Sequence, residues 1–181
     1  MAAPANLARI SRMLAELGMT PSHPRLVRLV AFDEATELVP VRRPFSDRGH
    51  LLTEAAAAAW ARLAGAAAAD GAALELISGF RSYGYQLDLI RRQREAGRVL
   101  DEILQSVAPP GFSEHHTGEA ADLGVPGCSD LTASFADTAA FRWLEANARR
   151  FGWTMSYPPG NESGYVYEPW HWKWNPQNVT P

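Results

Sequence analysis

The sequence of 181 residues contains one cysteine, Cys128, and no long apolar run. A single cysteine excludes an internal disulfide bond, and we interpret it as a loop or partly buried thiol because no neighbouring base is evident. No stretch approaches the roughly 20 apolar residues that a membrane-spanning helix needs. Residues 1–18 lack the basic start and apolar centre of a secretory signal, so the sequence does not decide whether the protein stays inside the cell or leaves it by another route.

A strong excess of charge of either sign is also absent. The chain has 17 Lys and Arg residues against 20 Asp and Glu residues, a net charge of −3. This balance gives no electrostatic argument for binding nucleic acid or an anionic membrane surface. A hydrophobic content of 46% and a charged content of 20% are typical of a globular protein, and the length fits one domain.

Hydrophobic periodicity and turn residues divide the chain into helices and strands. Helical spacing predicts helices over residues 6–17, 53–69, 83–94 and 138–151, with Thr53 as a helix cap. Short apolar or alternating runs predict strands over residues 26–32, 74–77, 120–124, 153–157 and 170–174. Pro40 and Pro44 are expected to bracket a loop. The mixed order predicts an α+β fold with a central antiparallel sheet flanked by helices.

Two short segments carry the residue types that bind a divalent metal ion. Six residues separate His115 from Asp122, and His171 lies close to the end of the chain. Hydrolysing an amide at neutral pH requires an activated water molecule, and a zinc ion with three protein ligands lowers the pKa of such a water to about 7. Imidazole and carboxylate groups suit this task, so these three residues are candidate zinc ligands.

The residues around these ligand candidates fit the same hypothesis. Gly118 lies between His115 and Asp122, where a loop that must turn back benefits from a residue without a Cβ atom. Glu168 precedes His171 by three positions, and Pro169 disfavours a regular helix between them. We therefore expect Glu168 at a loop end, where it is a candidate general base, and His171 on the following strand.

The spacings alone leave a second interpretation open. Isolated His-x6-Asp and Glu-x-x-His pairs are common by chance, so His115 and His171 could be core or surface histidines and Asp122 could cap a turn. His116 would point away from the site if its segment is extended. We therefore expect His116 to have a supporting or surface role and not to be a ligand.

Three ordered motifs resemble a known family. Ser-x-His-x-x-Gly-x-Ala-x-Asp occupies residues 113–122, Ser-Gly-Phe-Arg-Ser-Tyr-x-x-Gln occupies 78–86, and Glu-Pro-Trp-His-Trp occupies 168–172. Together they resemble the VanY-like D-alanyl-D-alanine carboxypeptidases, a zinc-peptidase group that includes lysostaphin-type enzymes and the hedgehog signalling domain. The similarity extends over roughly residues 38–174. Where many relatives have glutamine and tyrosine, this chain has His116 and Trp174, which affects the expected substrate pocket.

The resemblance implies a role for each site residue. His115, Asp122 and His171 would be the zinc ligands, and Glu168 would be the catalytic base. Arg81 would bind the terminal carboxylate of a peptide or polarise the oxyanion that forms on attack. Ser113 and Gln86 would contact the substrate. An alternative for Arg81, taken from the residues alone, is a structural ion pair.

The expected protein is thus a single peptidase domain over residues 1–181. Residues 1–37 would form an N-terminal helix and lead-in, and residues 38–174 a catalytic core with the zinc site in a surface cleft. The resemblance implies that the substrate is a peptidoglycan stem peptide ending in D-alanine and that the protein acts in the cell envelope. We expect a monomer that neither binds nucleic acid nor inserts into a membrane. Alternatives are an endolysin-type endopeptidase, a dipeptidase or L,D-carboxypeptidase, and a non-catalytic zinc-containing binding module.

Overall fold

Two antiparallel sheets and five α-helices organise the residues that the computed structural model describes, which are 4–43, 46–128 and 130–178. The helices are α1 (Pro4–Glu16), α2 (Glu54–Ala69), α3 (Tyr83–Glu95), α4 (Leu100–Ile103) and α5 (Ala139–Asn147). The strands are β1 (Val39–Arg43), β2 (Ser46–Leu52), β3 (Glu75–Ser78), β4 (Ala120–Gly124), β5 (Trp153–Met155) and β6 (His171–Trp174). The predicted α+β fold is confirmed.

The central sheet has the strand order β3-β4-β6-β5, and every neighbouring pair is antiparallel. In the pairing of β4 with β6, Asp122 lies directly opposite His171. Side chains alternate between the two faces of a strand. On β6, Trp172 and Trp174 pack into the hydrophobic core, which leaves His171 to face the opposite side.

The larger hydrophobic cluster, here called the main core, lies between one face of the central sheet and helices α2 and α5. Helix α2 contributes Trp60 and Leu63, and α5 contributes Phe141 and Leu144. These side chains pack with Trp172 and other residues of the sheet. Helix α2 begins at the predicted cap, where the Thr53 hydroxyl accepts a hydrogen bond from the Ala56 amide.

A second cluster, here called the N-terminal core, joins α1 to α3 and α4. Its buried residues are Ile10, Leu14, Leu17, Met19, Leu26, Tyr83, Leu87, Ile90, Ile103 and Leu104. Helix α1 therefore buries its apolar stripe against the helix that follows the Ser-Gly-Phe-Arg segment. The division of the chain at residues 37 and 38 stays a prediction.

The start of α3 is fixed from two directions. The Ser82 hydroxyl accepts a hydrogen bond from the Tyr85 amide, which caps the helix. A carboxylate oxygen of Glu34 accepts a hydrogen bond from the Tyr83 amide. Glu34 is itself paired with Arg9 of α1. The segment before β1 thus anchors the helix that follows Arg81.

Several predicted elements were wrong in type or extent. The predicted strand over residues 26–32 is a single 3-10 turn, Leu26–Arg28, followed by irregular chain. Val27 and Val30 are 78% and 70% exposed, so the apolar run is not a buried strand. Pro40 lies within β1 and not in a loop, and Pro44 lies outside the described residues.

Two further boundaries differ from prediction at the end of the chain. The helix predicted over residues 138–151 is α5 followed by a 3-10 turn, Ala148–Phe151, and Gly152 ends that turn with φ of 85°. The strand predicted over 153–157 ends at Met155. In the part of the chain that the structure describes, no helix has both the length and the apolar character required to cross a bilayer.

Candidate active site

The central sheet and one adjoining turn bring His115, Asp122 and His171 together. His115 lies in the 3-10 turn Glu114–Thr117, Asp122 on β4 and His171 at the start of β6. All three are buried, with exposed fractions of 2%, 2% and 3%. One donor atom from each side chain lies within 4.8 Å of the others, so the group could hold a metal ion.

Each histidine ring presents one nitrogen to Asp122 and has its other nitrogen bound elsewhere. His115 Nε2 lies 3.2 Å from Asp122 Oδ1, and its Nδ1 lies 2.7 Å from the carbonyl oxygen of Gly79. His171 Nδ1 lies 3.1 Å from the same Asp122 oxygen, and its Nε2 lies 2.9 Å from Glu114 Oε2. The hydrogen-bond partner of the outer nitrogen fixes the orientation of each ring, as in known metal sites.

Burial and neighbouring charges shift the pKa values of the two histidines and the aspartate. Burial lowers the pKa of His115 to about 4. Burial also acts to lower the pKa of His171, but hydrogen bonds to Asp122 and Glu114 outweigh it and raise that pKa to about 9. Burial acts to raise the pKa of Asp122, yet His115 and Arg81 hold it well below its usual value. Asp122 is therefore an anion, as a metal ligand must be.

Gly118 allows the chain to turn between His115 and Asp122. Its φ is +66°, a left-handed conformation that glycine adopts without strain. A Cβ atom at this position would lie 2.7 Å from the Leu38 side chain and 3.2 Å from the Thr53 backbone nitrogen. The left-handed backbone and the close contacts of a Cβ atom therefore both favour glycine at this position, as expected from the sequence.

Glu168 lies in the loop just before β6 and lines the same cleft as the two histidines. Its amide donates to the Tyr157 carbonyl at 3.1 Å, and its carbonyl accepts from the His171 amide at 3.1 Å. The side chain is buried, and burial raises the pKa of its carboxyl group to about 7. A carboxyl group poised near neutrality can both accept and return a proton.

Arg81 follows β3 and also lines the cleft. Its Nε donates to Ser78 Oγ at 2.9 Å, and its Nη2 pairs with Asp122 Oδ2. Its backbone amide donates to the His115 carbonyl at 3.2 Å. The guanidinium is therefore in the cleft, as predicted, and it makes the ion pair that was the alternative interpretation. The two interpretations are compatible.

The two predicted substrate contacts also lie on the cleft wall. Ser113 is 4% exposed and directly precedes the turn that carries His115. Gln86, on α3, is 1% exposed, and its Nε2 donates to the Ala108 carbonyl at 2.9 Å. Among the described residues, the buried Oε1 atom of Gln86 has no hydrogen-bond partner. This oxygen can accept a hydrogen bond from a bound molecule.

The cleft that contains these residues has a volume of about 990 Å³. Besides the residues named above, its walls include His50, Phe80, Tyr85, Leu89, Gln93, Tyr157, Tyr165 and Trp170. Its charged side chains beside the candidate ligands are Arg81 and Glu168. Such a mixture of aromatic surface with a few polar groups is typical of ligand-binding sites.

Glu114 and Tyr157 were not predicted from the sequence to contact the site, and the prediction for His116 was partly wrong. The Tyr157 ring stacks on His171 with 4.6 Å between ring centroids. His116 is fully buried in a 3-10 turn, so the surface role considered for it is wrong. Its Nδ1 lies 2.6 Å from the Arg81 carbonyl, and its Nε2 accepts from the Gly111 amide. His116 thus supports the segments on either side of the cleft.

Comparison with known proteins identifies the family. Residues 49–177 match the family described as "VanY: D-alanyl-D-alanine carboxypeptidase". The chain belongs to the VanY family. One VanY-family relative is the bifunctional D-Ala-D-Ala dipeptidase and D-Ala-D-Ala carboxypeptidase VanXYC of Enterococcus gallinarum. It is 31% identical over 140 residues, which cover 74% of this chain and 72% of the relative.

Solved structures show the same VanY-family fold. The LdcB LD-carboxypeptidase superposes with a TM-score of 0.68 at 32% identity, covering 78% of this chain and 69% of that chain. A VanY D,D-pentapeptidase from a VanB-type resistance cassette, solved in complex with Zn(II), has a TM-score of 0.59 at 24% identity, covering 84% and 88%. The chain spans about two fifths of the length of two other curated relatives that it matches.

Proposed function

We propose that this chain is a zinc-dependent peptidase that removes C-terminal D-alanine from peptidoglycan stem peptides. The observation that carries the proposal is the convergence of His115, Asp122 and His171 in one cleft with Glu168 and Arg81. Two imidazoles and one carboxylate are a donor set that suits catalytic zinc. The names of the related carboxypeptidases supply the class of substrate.

His115 Nε2, an Asp122 carboxylate oxygen and His171 Nδ1 would hold the zinc ion, because these atoms face one another. When bound, zinc supplies Lewis-acid chemistry, lowering the pKa of water and polarising a carbonyl group. Asp122 is already ionised, and the outer nitrogen of each histidine is bound by an acceptor. The chain therefore positions the donor atoms before zinc binds, and binding displaces the proton from Nδ1 of His171, whose pKa is raised to about 9.

Glu168 performs the proton transfers in this proposal. It takes a proton from the attacking water molecule as the oxygen bonds to the peptide carbonyl carbon. It then delivers that proton to the leaving amine as the C–N bond breaks, so that water is added across the bond. A pKa raised by burial to about 7 suits both transfers near neutral pH.

Arg81 supplies a fixed positive charge on the cleft wall. A guanidinium group binds a carboxylate through two parallel hydrogen bonds, or stabilises an oxyanion as it develops. Its Nε bond to Ser78 and its contact with Asp122 hold the group in place before substrate arrives. Ser113 and Gln86 add a hydroxyl group and an unpartnered amide oxygen for backbone groups of the substrate.

The cleft has room for a stem peptide as well as for a free dipeptide. Ligand sites commonly enclose about 300–1,000 Å³, and this cleft lies at the upper end with about 990 Å³. A dipeptide would fill only a small part of that volume. The relative VanXYC is named as both a D-Ala-D-Ala dipeptidase and a D-Ala-D-Ala carboxypeptidase, so dipeptidase activity is the second candidate function.

A direct assay separates these activities. The zinc-loaded protein is incubated with a pentapeptide ending in D-Ala-D-Ala, a tetrapeptide ending in one D-Ala, and free D-Ala-D-Ala, and the products are read by mass spectrometry. We expect loss of one D-alanine from the pentapeptide or tetrapeptide. Cleavage inside the stem would identify an endopeptidase, and cleavage of none would favour a binding module. Action in the cell envelope as a monomer stays a prediction.

A further inference from the structure

A carboxylate contacts the candidate metal ligand His171 at the ring nitrogen that does not face Asp122. Glu114 Oε2 is 2.9 Å from His171 Nε2, and the Glu114 side chain is 17% exposed. The donor group that could hold a metal ion comprises His115, Asp122 and His171, and it does not include Glu114. The contact with His171 therefore calls for a different role.

The chemistry of the two groups decides which nitrogen of His171 can bind a metal. An imidazole that binds a metal ion is neutral, so it has one N–H donor and one lone pair, and an ionised carboxylate can only accept hydrogen bonds. Glu114 therefore requires the proton of His171 to lie on Nε2. The lone pair then lies on Nδ1, the atom that faces Asp122 at 3.1 Å.

The other histidine ligand is held in the opposite tautomer. His115 Nδ1 lies 2.7 Å from the Gly79 carbonyl oxygen, which likewise can only accept. The lone pair of His115 is thus left on Nε2, which also faces Asp122. One ring is held by a backbone group and the other by a side chain, so only the second restraint can be removed by substitution.

The Glu114 carboxylate is itself held in place. Ser156 Oγ donates to Glu114 Oε2 at 2.6 Å, and the Ser156 amide donates to the His171 carbonyl at 3.3 Å. Ser156 therefore contacts both members of the pair. The Tyr157 ring stacks on His171, which limits rotation of the imidazole. These contacts connect the end of β5 to the start of β6.

We propose that Glu114 is a positioning residue that orients His171 and selects Nδ1 as its metal-binding atom, with Ser156 fixing the carboxylate. The inference rests on the metal site of the proposed function. It predicts that removal of Glu114 weakens metal binding although every ligand remains. Loss of a partner behind a ligand typically lowers metal affinity by about 10- to 100-fold.

The test compares zinc affinity among variants by competition with a chromogenic chelator. We expect Glu114→Ala to bind zinc about 10- to 100-fold more weakly than the parent. Glu114→Gln keeps an oxygen that can accept from Nε2–H, so it should recover part of the loss. Glu119→Ala is the matched control, because it removes a nearby carboxylate that pairs with Lys173 and not with a ligand.

A spectroscopic measurement distinguishes positioning from general destabilisation. In the zinc-loaded parent with nitrogen-15 histidine, the His171 ring should show a zinc-bound Nδ1 and a slowly exchanging Nε2–H proton. In Glu114→Ala that proton should exchange faster, while thermal unfolding of the metal-free protein verifies that the variant is folded. Glu114→Gln serves as a second variant of almost unchanged shape.

Two results overturn the proposal. Equal zinc affinity in the parent and Glu114→Ala would show that the carboxylate does not position His171. An equal loss in Glu119→Ala would assign the effect to overall charge. Failure of the parent itself to bind zinc would instead refute the metal site of the proposed function, and this inference with it.

Discussion

The main core and the N-terminal core support different parts of the cleft. The sheet of the main core carries Asp122 and His171 on paired strands. The N-terminal core holds helix α3, which carries Gln86 and directly follows Arg81. The difference suggests that metal binding depends chiefly on packing around the sheet, whereas substrate binding depends also on packing between α1 and α3.

The two cores also differ in their relation to the family match. The match covers residues 49–177 and so includes all four strands of the central sheet. Helix α1 and Leu26 lie before residue 49, yet they are buried against α3. One wall of the cleft therefore rests on a segment outside the matched range. If the two regions have separable roles, substitutions in one should alter substrate binding and substitutions in the other should alter zinc binding.

The largest effect is expected for Glu168→Gln. This change removes the proton acceptor but keeps the size of the side chain, so turnover should fall by about 10³-fold while zinc affinity stays near that of the parent. Release of D-alanine and zinc content provide the two measurements. Glu162→Gln, an exposed change in the same loop region, is the control. Unchanged turnover in Glu168→Gln would contradict the assignment of the base.

Arg81→Ala should have the next largest effect on catalysis. Loss of the guanidinium should lower kcat/KM by about 10²- to 10³-fold, as for other groups that stabilise a developing charge. Zinc should still bind, because the three ligands remain. Arg91→Ala on the exposed face of α3 is the matched control. A variant of Arg81 that loses zinc would show that its pairing with Asp122 is mainly structural.

Substitutions in the two cores test the comparison directly. Leu14→Ala in the N-terminal core and Leu123→Ala in the main core should each lower the free energy of unfolding by about 3 kcal/mol, because each leaves a cavity. Only Leu123→Ala should also weaken zinc binding, since Leu123 adjoins Asp122 on β4.

Leu7→Ala is the control for these core changes, because Leu7 is 47% exposed. It should change the free energy of unfolding by less than about 0.5 kcal/mol. Denaturant unfolding and chelator competition provide the measurements. If Leu14→Ala weakened zinc binding as much as Leu123→Ala, the proposed separation between the two regions would fail.

The smallest effect is expected for Arg25→Ala. Arg25 donates to the carbonyls of Ser163 and Gly164 at 2.8 and 3.0 Å, and its guanidinium lies 4.0 Å from the ring centre of Tyr165. Tyr165 lines the cleft and packs against Tyr157 with 4.7 Å between centroids. Arg25 therefore fixes a wall of the cleft from a segment that precedes the family match.

Loss of Arg25 should raise KM by about tenfold, which corresponds to one lost contact of about 1.4 kcal/mol. The value of kcat and the zinc content should change little. Arg28→Ala, an exposed change in the same segment, should leave KM unaltered. A tenfold fall in kcat at constant KM would instead show that Arg25 affects the chemical step and not substrate binding.

The sequence was most informative where motifs and periodicity agreed. The motif residues 113–122 and 168–172 lie together in the structure, and β4 has the predicted bounds. Two features escaped prediction because they depend on distant partners. Glu114 meets His171 across 57 positions of the chain. Residues 26–32 have strand-like composition, but the Phe32 amide donates to the Gly111 carbonyl and not to a neighbouring strand.

The β1–β2 hairpin was missed for a related reason. Pro40 has no amide hydrogen to donate and therefore indicated a loop. Among the described residues, strand β1 pairs only with β2 in a two-stranded sheet, and proline is tolerated in an edge strand. Local composition could not reveal that edge position. The site was thus more predictable than the framework around it, because its residues carry chemistry that packing residues do not.

Zinc titration of the metal-free protein is the most direct test that His115, Asp122 and His171 form a zinc site. Calorimetry of the parent and of His115→Ala, Asp122→Ala and His171→Ala measures the number and affinity of zinc sites. We expect one tight site per chain in the parent, with zinc affinity reduced by orders of magnitude in each variant. A parent that binds no zinc, or variants that bind it as tightly as the parent, would show that these three residues do not form a zinc site.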